Sequence, residues 1–194
     1  MVSKSQKSGM SRRDLLFGGF RKMRKNVEKN IEDFQTIPDS VSSDEAQTGR
    51  DAFVLGNTAY AAAQYAEAIP NYRECLNILP QHTEARQRLG YCLYREGQYI
   101  QAKVEFERVI RERKKDNFSS LYLGLTYARL DKREKTVAAW RGYFNPEEVR
   151  IMRELNVQTA LIESAEDYEL SVAASDVEDA IDIRKQELLA PQDN

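Results

Sequence analysis

Small, apolar and aromatic residues return at one fixed interval along the middle of the chain. Gly56, Gly90 and Gly124 stand 34 residues apart, twice in succession, and Leu55, Leu89 and Leu123 precede them. Ala68, Ala102 and Thr136 follow at one distance, and Tyr72, Phe106 and Trp140 follow four residues later. A small-residue and aromatic pattern with such a period predicts a stack of two-helix units, each burying its apolar face against a neighbour.

Around this pattern the helices can be placed. Ser42 and Glu45 fit a capping box, so the first repeat helix starts there and runs to about residue 62. Further helices are expected at about 66–79, 83–96, 100–113, 117–130 and 134–144, with Pro80, Gly97 and Asp116-Asn117 in turns. Asn145-Pro146-Glu147-Glu148 reads as another helix start, for a helix that carries Val149, Met152, Leu155, Ala160 and Ile162 and ends near Glu166. Ser175 and Glu178 form a further candidate capping box, before a short amphipathic segment with Val177, Ile181 and Leu188. Upstream, Leu16, Phe20, Met23, Val27, Ile31 and Phe34 recur at helical steps, and Pro38 marks a linker at 35–42. The expected organisation is an N-terminal arm and linker (1–41), a repeat domain with capping helix (42–166) and an acidic C-terminal segment (167–194).

The repeating residues resemble the tetratricopeptide repeat family over about residues 49–150, in three units. Leu55-Gly56, Ala68, Tyr72 and Pro80 carry the likeness in the first unit, and Leu89-Gly90, Gly97, Ala102 and Phe106 in the second. The third has Leu123-Gly124, Tyr127 and Trp140. Ala59 and Leu93 stand where a tyrosine is usual, Lys114 where a proline is, and Thr136 where an alanine is. The resemblance implies an all-α fold, a right-handed α-solenoid of three helix pairs closed by C-terminal capping helices. A glycine inside a helix costs about 1 kcal/mol relative to alanine, so three in register need a compensating reason. Close approach of the paired helix, with Ala68 and Ala102 as the matching small surface, is the expected one. Tyr72, Phe106 and Trp140 are then expected to fill the gap between one pair and the next.

In this family the first helix of each pair lines a concave groove. The resemblance places Phe53, Asn57 and Tyr60 there from the first unit. Gln87, Tyr91, Tyr94 and Arg95 come from the second, and Leu121, Leu125 and Arg129 from the third. Aromatics beside arginine are typical of protein-recognition hot spots. The expected ligand is a peptide or helix of a partner protein, with apolar side chains and a carboxylate. The alternative is that Tyr91, Leu121 and Leu125 are covered by the chain's own ends. Asn57 matches the asparagine with which some relatives clamp an acidic chaperone tail. Phe53 stands where the first lysine of that clamp would be, which argues against such a clamp.

Charge is unevenly spread although the net value is only −2. Residues 1–34 hold nine Lys or Arg against four acids, and residues 145–194 hold thirteen acids against four bases. A basic head and an acidic tail indicate separate interaction surfaces, or attraction between the two ends. Arg12 and Arg13, with Leu15, Leu16, Phe17 and Phe20, form a candidate docking element. It resembles a twin-arginine export motif, but the uncharged run after it is too short for that signal and no cleavage site follows. The basic amphipathic segment can pack on the repeats, insert into a partner or lie on an anionic membrane surface.

No catalytic constellation emerges. His82 is the single histidine and has no metal-ligand set around it in sequence. The three glycines are separate packing residues rather than a phosphate-cradling loop. Cys75 and Cys92 sit among apolar residues and read as reduced core thiols of a cytoplasmic protein. No cofactor, metal, nucleic-acid or enzymatic role is implied. The expected function is that of a bacterial adaptor or assembly factor in the cytoplasm, with the inner membrane face as the place for any contact of the arm with lipid.

Overall fold

The computed structural model describes residues 42–189, and among these there are eight α-helices and no strand. The helices are α1 (Ser43–Ala61), α2 (Tyr65–Ile78), α3 (Thr83–Arg95), α4 (Tyr99–Arg113), α5 (Asn117–Arg129), α6 (Arg133–Arg141), α7 (Val149–Ser164) and α8 (Leu170–Leu189). The first six form three antiparallel pairs. Each first helix packs on its own second helix, and α2 and α4 also pack on the first helix of the next unit. This is an α-solenoid of helix pairs. Of the described residues, 42–180 belong to one compact unit and Ile181–Leu189 of α8 to a second. The basic arm, including Arg12, Arg13, Leu15, Leu16, Phe17 and Phe20, lies outside the described residues.

The repeat extends to backbone detail. Ala63, Gly97 and Asp131, again 34 apart, take φ of 57°, 70° and 56°. Each ends a first helix in the same way. The amides of Gln64, Gln98 and Lys132 bond back to the carbonyls of Ala59, Leu93 and Tyr127 at 2.8–2.9 Å, closing a left-handed helix stop. The helix starts recur too. The Nδ1 of His82 accepts from the Ala85 amide at 3.1 Å, and the carboxylate of Asp116 accepts from the Ser119 amide at 2.7 Å. Ser42 and Glu45 form the reciprocal capping box the sequence predicts.

The glycines admit the paired helix as expected, but they face its aromatics rather than its alanines. A Cβ placed at Gly56 would lie 2.7 Å from the ring of Tyr72, and one at Gly90 would lie 2.9 Å from the ring of Phe106. At Gly124 it would overlap the indole of Trp140. Each glycine therefore seats the aromatic of its own unit's second helix, and Phe106 also reaches the next pair, with its ring 6.2 Å from that of Tyr122. Tyr72, Phe106 and Trp140 are all buried. Leu89 and Leu123 are buried as well, whereas Leu55 in the first unit is 59% exposed. A repeat covers this position only where another pair stands in front of it.

Two expected helix starts are displaced. Asn145 makes a turn: its side chain accepts from the Glu147 amide at 3.2 Å, and α7 begins only at Val149. The cause lies just upstream, where the side-chain amide of Asn117 holds the backbone of Phe144 in both directions and Tyr143 is buried. The buried stripe of α7 is Ile151, Leu155, Gln158, Thr159 and Ile162; Val149 and Ala160 face outward. Ser175 is not a cap either. It lies inside α8, with its hydroxyl donating back to the Ser171 carbonyl at 3.1 Å. Both cysteines are free and fully buried, and burial pushes each thiol up to about 12.

Candidate partner-binding groove

The first-helix face divides into two parts. In the first, between α1 and α3, an arginine outside the sequence-predicted set is the hub. The guanidinium of Arg88 donates to the side-chain oxygen of Asn57 and pairs with Glu84 one turn away. It also stands over the rings of Phe53 and Tyr60, at 5.3 and 5.7 Å, within cation–π range. Asn57 accepts a second hydrogen bond from the Tyr72 hydroxyl at 2.9 Å. Phe53 is buried, with its ring 4.3 Å from that of His82. Asn57 and Phe53 thus tie the groove wall together, while Asn57 and Tyr60 keep part of their surface open.

Aromatic rings join this part to the next unit. Tyr91 meets Tyr60 at 5.4 Å, Tyr65 at 5.5 Å, Phe118 at 5.7 Å and Tyr122 at 4.9 Å. Tyr94 continues the series to Tyr99 and Tyr122, at 5.5 and 5.6 Å. Such edge and tilted contacts add to the energy of burial. Burial drives the phenols of Tyr60, Tyr94 and Tyr122 well above their ordinary value, so they stay neutral hydrogen-bonding groups. Arg95 lies across the edge of the cluster. It stands 5.0 Å from the Tyr65 ring centre, donates to the Tyr91 hydroxyl at 3.0 Å and remains exposed. Gln87 donates to Asp116 at 2.7 Å.

The second part holds a helix of the chain itself. Arg129, at the end of α5, pairs with the carboxylate of Glu178 in α8 at 2.6 Å. It also reaches the hydroxyl of Ser175 at 3.3 Å and the carbonyl of Ser171 at 3.4 Å. The Tyr94 hydroxyl donates to the other oxygen of Glu178. Leu170, Ala173, Ala174 and Val177 of α8 are buried, as are Leu121 and Leu125 of α5. The loop that delivers α8 is fixed from α6. The guanidinium of Arg133 donates to the carbonyls of Ile162, Ala165, Glu166 and Tyr168 at 2.7–3.1 Å. Gln158 of α7 then bridges Tyr168 and Asp176.

The ten sequence-predicted residues therefore fall into three groups. Asn57, Tyr60, Gln87 and Arg95 keep accessible surface, and Phe53, Tyr91, Leu121 and Leu125 are buried. Tyr94 and Arg129 contact α8. Arg88 and Tyr122 escaped the prediction although they share one register position, two residues before Gly90 and Gly124. Helical arithmetic identifies that position: it lies three residues before Tyr91 and Leu125, on the same helix face. Glu178 had no local signal, being 84 and 49 residues from its two partners.

Among the described residues no group of His, Cys, Asp and Glu is arranged to hold a metal, and no helix is long and apolar enough to cross a membrane. No curated protein matches the chain. Residues 59–123 match the family model described as tetratricopeptide repeat. Repeats of that kind generally mediate protein–protein interactions and typically serve as non-catalytic scaffolds. Helix pairs recurring every 34 residues, with a glycine–aromatic seat in each of three units, extend the pattern of the matched residues and support a tetratricopeptide repeat protein.

Proposed function

We propose that the protein is an adaptor or assembly factor that holds an extended or helical segment of a partner protein along the face of α1, α3 and α5. The open part of that face offers a ring edge at Tyr60, amide groups at Asn57 and Gln87, and the exposed guanidinium of Arg95. Apolar groups of a partner fit against the tyrosines, and a carboxylate fits beside Arg95. The observation that carries this reading is the pairing of Arg129 and Tyr94 with Glu178. The same face already receives a carboxylate presented by a helix.

The test is affinity capture from the native cell with the full chain and with Tyr60→Ala plus Arg95→Glu. Arg95 is exposed and Tyr60 partly so, and the unfolding midpoint checks that the variant stays folded. Recovery of a specific partner is expected to fall at least tenfold, with the unfolding midpoint shifted by no more than a few degrees. Undiminished recovery from a folded double variant contradicts the proposal.

A further inference from the structure

Resting on that reading, the contact between α8 and the first-helix face points to a built-in competitor. We propose that Leu170–Ala180 occupies the docking place of a partner helix, and that a partner helix with the same chemistry binds there only when α8 leaves. That chemistry is specific: small residues on one face, as at Ala173, Ala174 and Val177, with a glutamate following at the position of Glu178.

Four features favour an exchangeable contact over a permanent one. The polar attachment of α8 to α3 and α5 converges on Arg129, and on one carboxylate, Glu178, shared by Arg129 and Tyr94. The two serine contacts of Arg129 are long, at 3.3 and 3.4 Å. The buried face contributes alanines and one valine besides Leu170, side chains with little shape to interlock. Finally, the hinge is held separately. Arg133 grips four carbonyls between Ile162 and Tyr168, so α7 and the loop keep their place when α8 departs. On the α7 side the Gln158–Asp176 bond at 2.9 Å has to open.

Tethering makes α8 a strong competitor at modest intrinsic affinity, because its effective concentration is in the millimolar range for a short linker. A free partner helix therefore meets a closed site unless the Glu178 attachment is weakened. The probe is a fluorescein-labelled peptide with the sequence of residues 168–183, titrated into the full chain and followed by anisotropy. Glu178→Arg sets two cations against each other and is expected to raise peptide affinity at least tenfold over the unchanged chain. Glu178→Gln, which keeps the shape, is expected to give a smaller rise of about threefold or more. Adding Arg129→Glu to Glu178→Arg restores an ion pair with reversed sign and is expected to return affinity to the original level or below. Hydrogen exchange at residues 170–180 reports the position of α8 in each chain.

Equal peptide affinity in the unchanged and Glu178→Arg chains overturns the competitor and leaves the groove reading standing. Faster exchange of α8 in Glu178→Arg with no peptide binding overturns both. Absent binding with unchanged exchange overturns the competitor alone, since α8 is then a fixed part of the fold.

Discussion

At the scale of single residues, the three glycines carry the fold by what they lack. The rings of Tyr72, Phe106 and Trp140 rest where a Cβ would be, so the expense of a helical glycine is offset by burial of an aromatic. The tightest seat is the third. Gly124→Ala gains about 1 kcal/mol of helix propensity but forces the Trp140 indole out of its place, an overpacking cost of about 1–3 kcal/mol. A net loss of up to about 2 kcal/mol is expected, larger than for Gly90→Ala, where Phe106 is less crowded. Chemical denaturation of the two variants measures this. A Gly124→Ala chain as stable as the original would mean that the indole has room to move. The sequence showed that these glycines admit the paired helix, but it set alanines rather than rings against them. Spacing reports that two positions are coupled, but not which surfaces meet.

At the scale of elements, pairing, order and most boundaries were legible because they depend on local signals: 34-residue spacing, helix stops and capping residues. The departures have tertiary causes. Asn145 has the residues of a helix start, yet Asn117 holds Phe144 from another helix and the chain turns instead. Ser175 has a capping spacing to Glu178, but the residues before it are drawn into α8 by burial of Leu170, Ala173 and Ala174. The element that organises this end is the arginine at the start of α6. Arg133 places a cation at the carbonyl end of α7, which favours both the hydrogen bonds and the helix dipole. Arg133→Met is expected to cost about 2–3 kcal/mol, since hydrogen bonds to a charged group are worth more than neutral ones. Lysine restores only part of that loss, because it lacks the planar fork that reaches several carbonyls at once. Amide exchange at residues 162–170 checks the point. Faster exchange in the methionine variant is the expected result, and unchanged protection would show that the loop is held by other contacts.

At the scale of the whole molecule, the repeats set up a face rich in tyrosine and arginine, and the acidic end of the chain supplies a helix to part of it. The sequence pointed to both charge populations. It could not point to Glu178, because a contact across 49 and 84 residues leaves no mark in local periodicity. Nor could it separate the open residues Asn57, Tyr60, Gln87 and Arg95 from the buried Tyr91, Leu121 and Leu125, since helical phase gives direction but not cover. The central claim is that a partner protein lies against this first-helix face. Site-specific photo-cross-linking in the native cell tests it most directly, with the reactive group at Tyr60 on α1 and, as a control, at the exposed Glu74 on α2. A cross-link from position 60 to an acidic segment of another protein, absent from position 74, is the expected result. Equal cross-linking from both positions, or none from position 60, would contradict it.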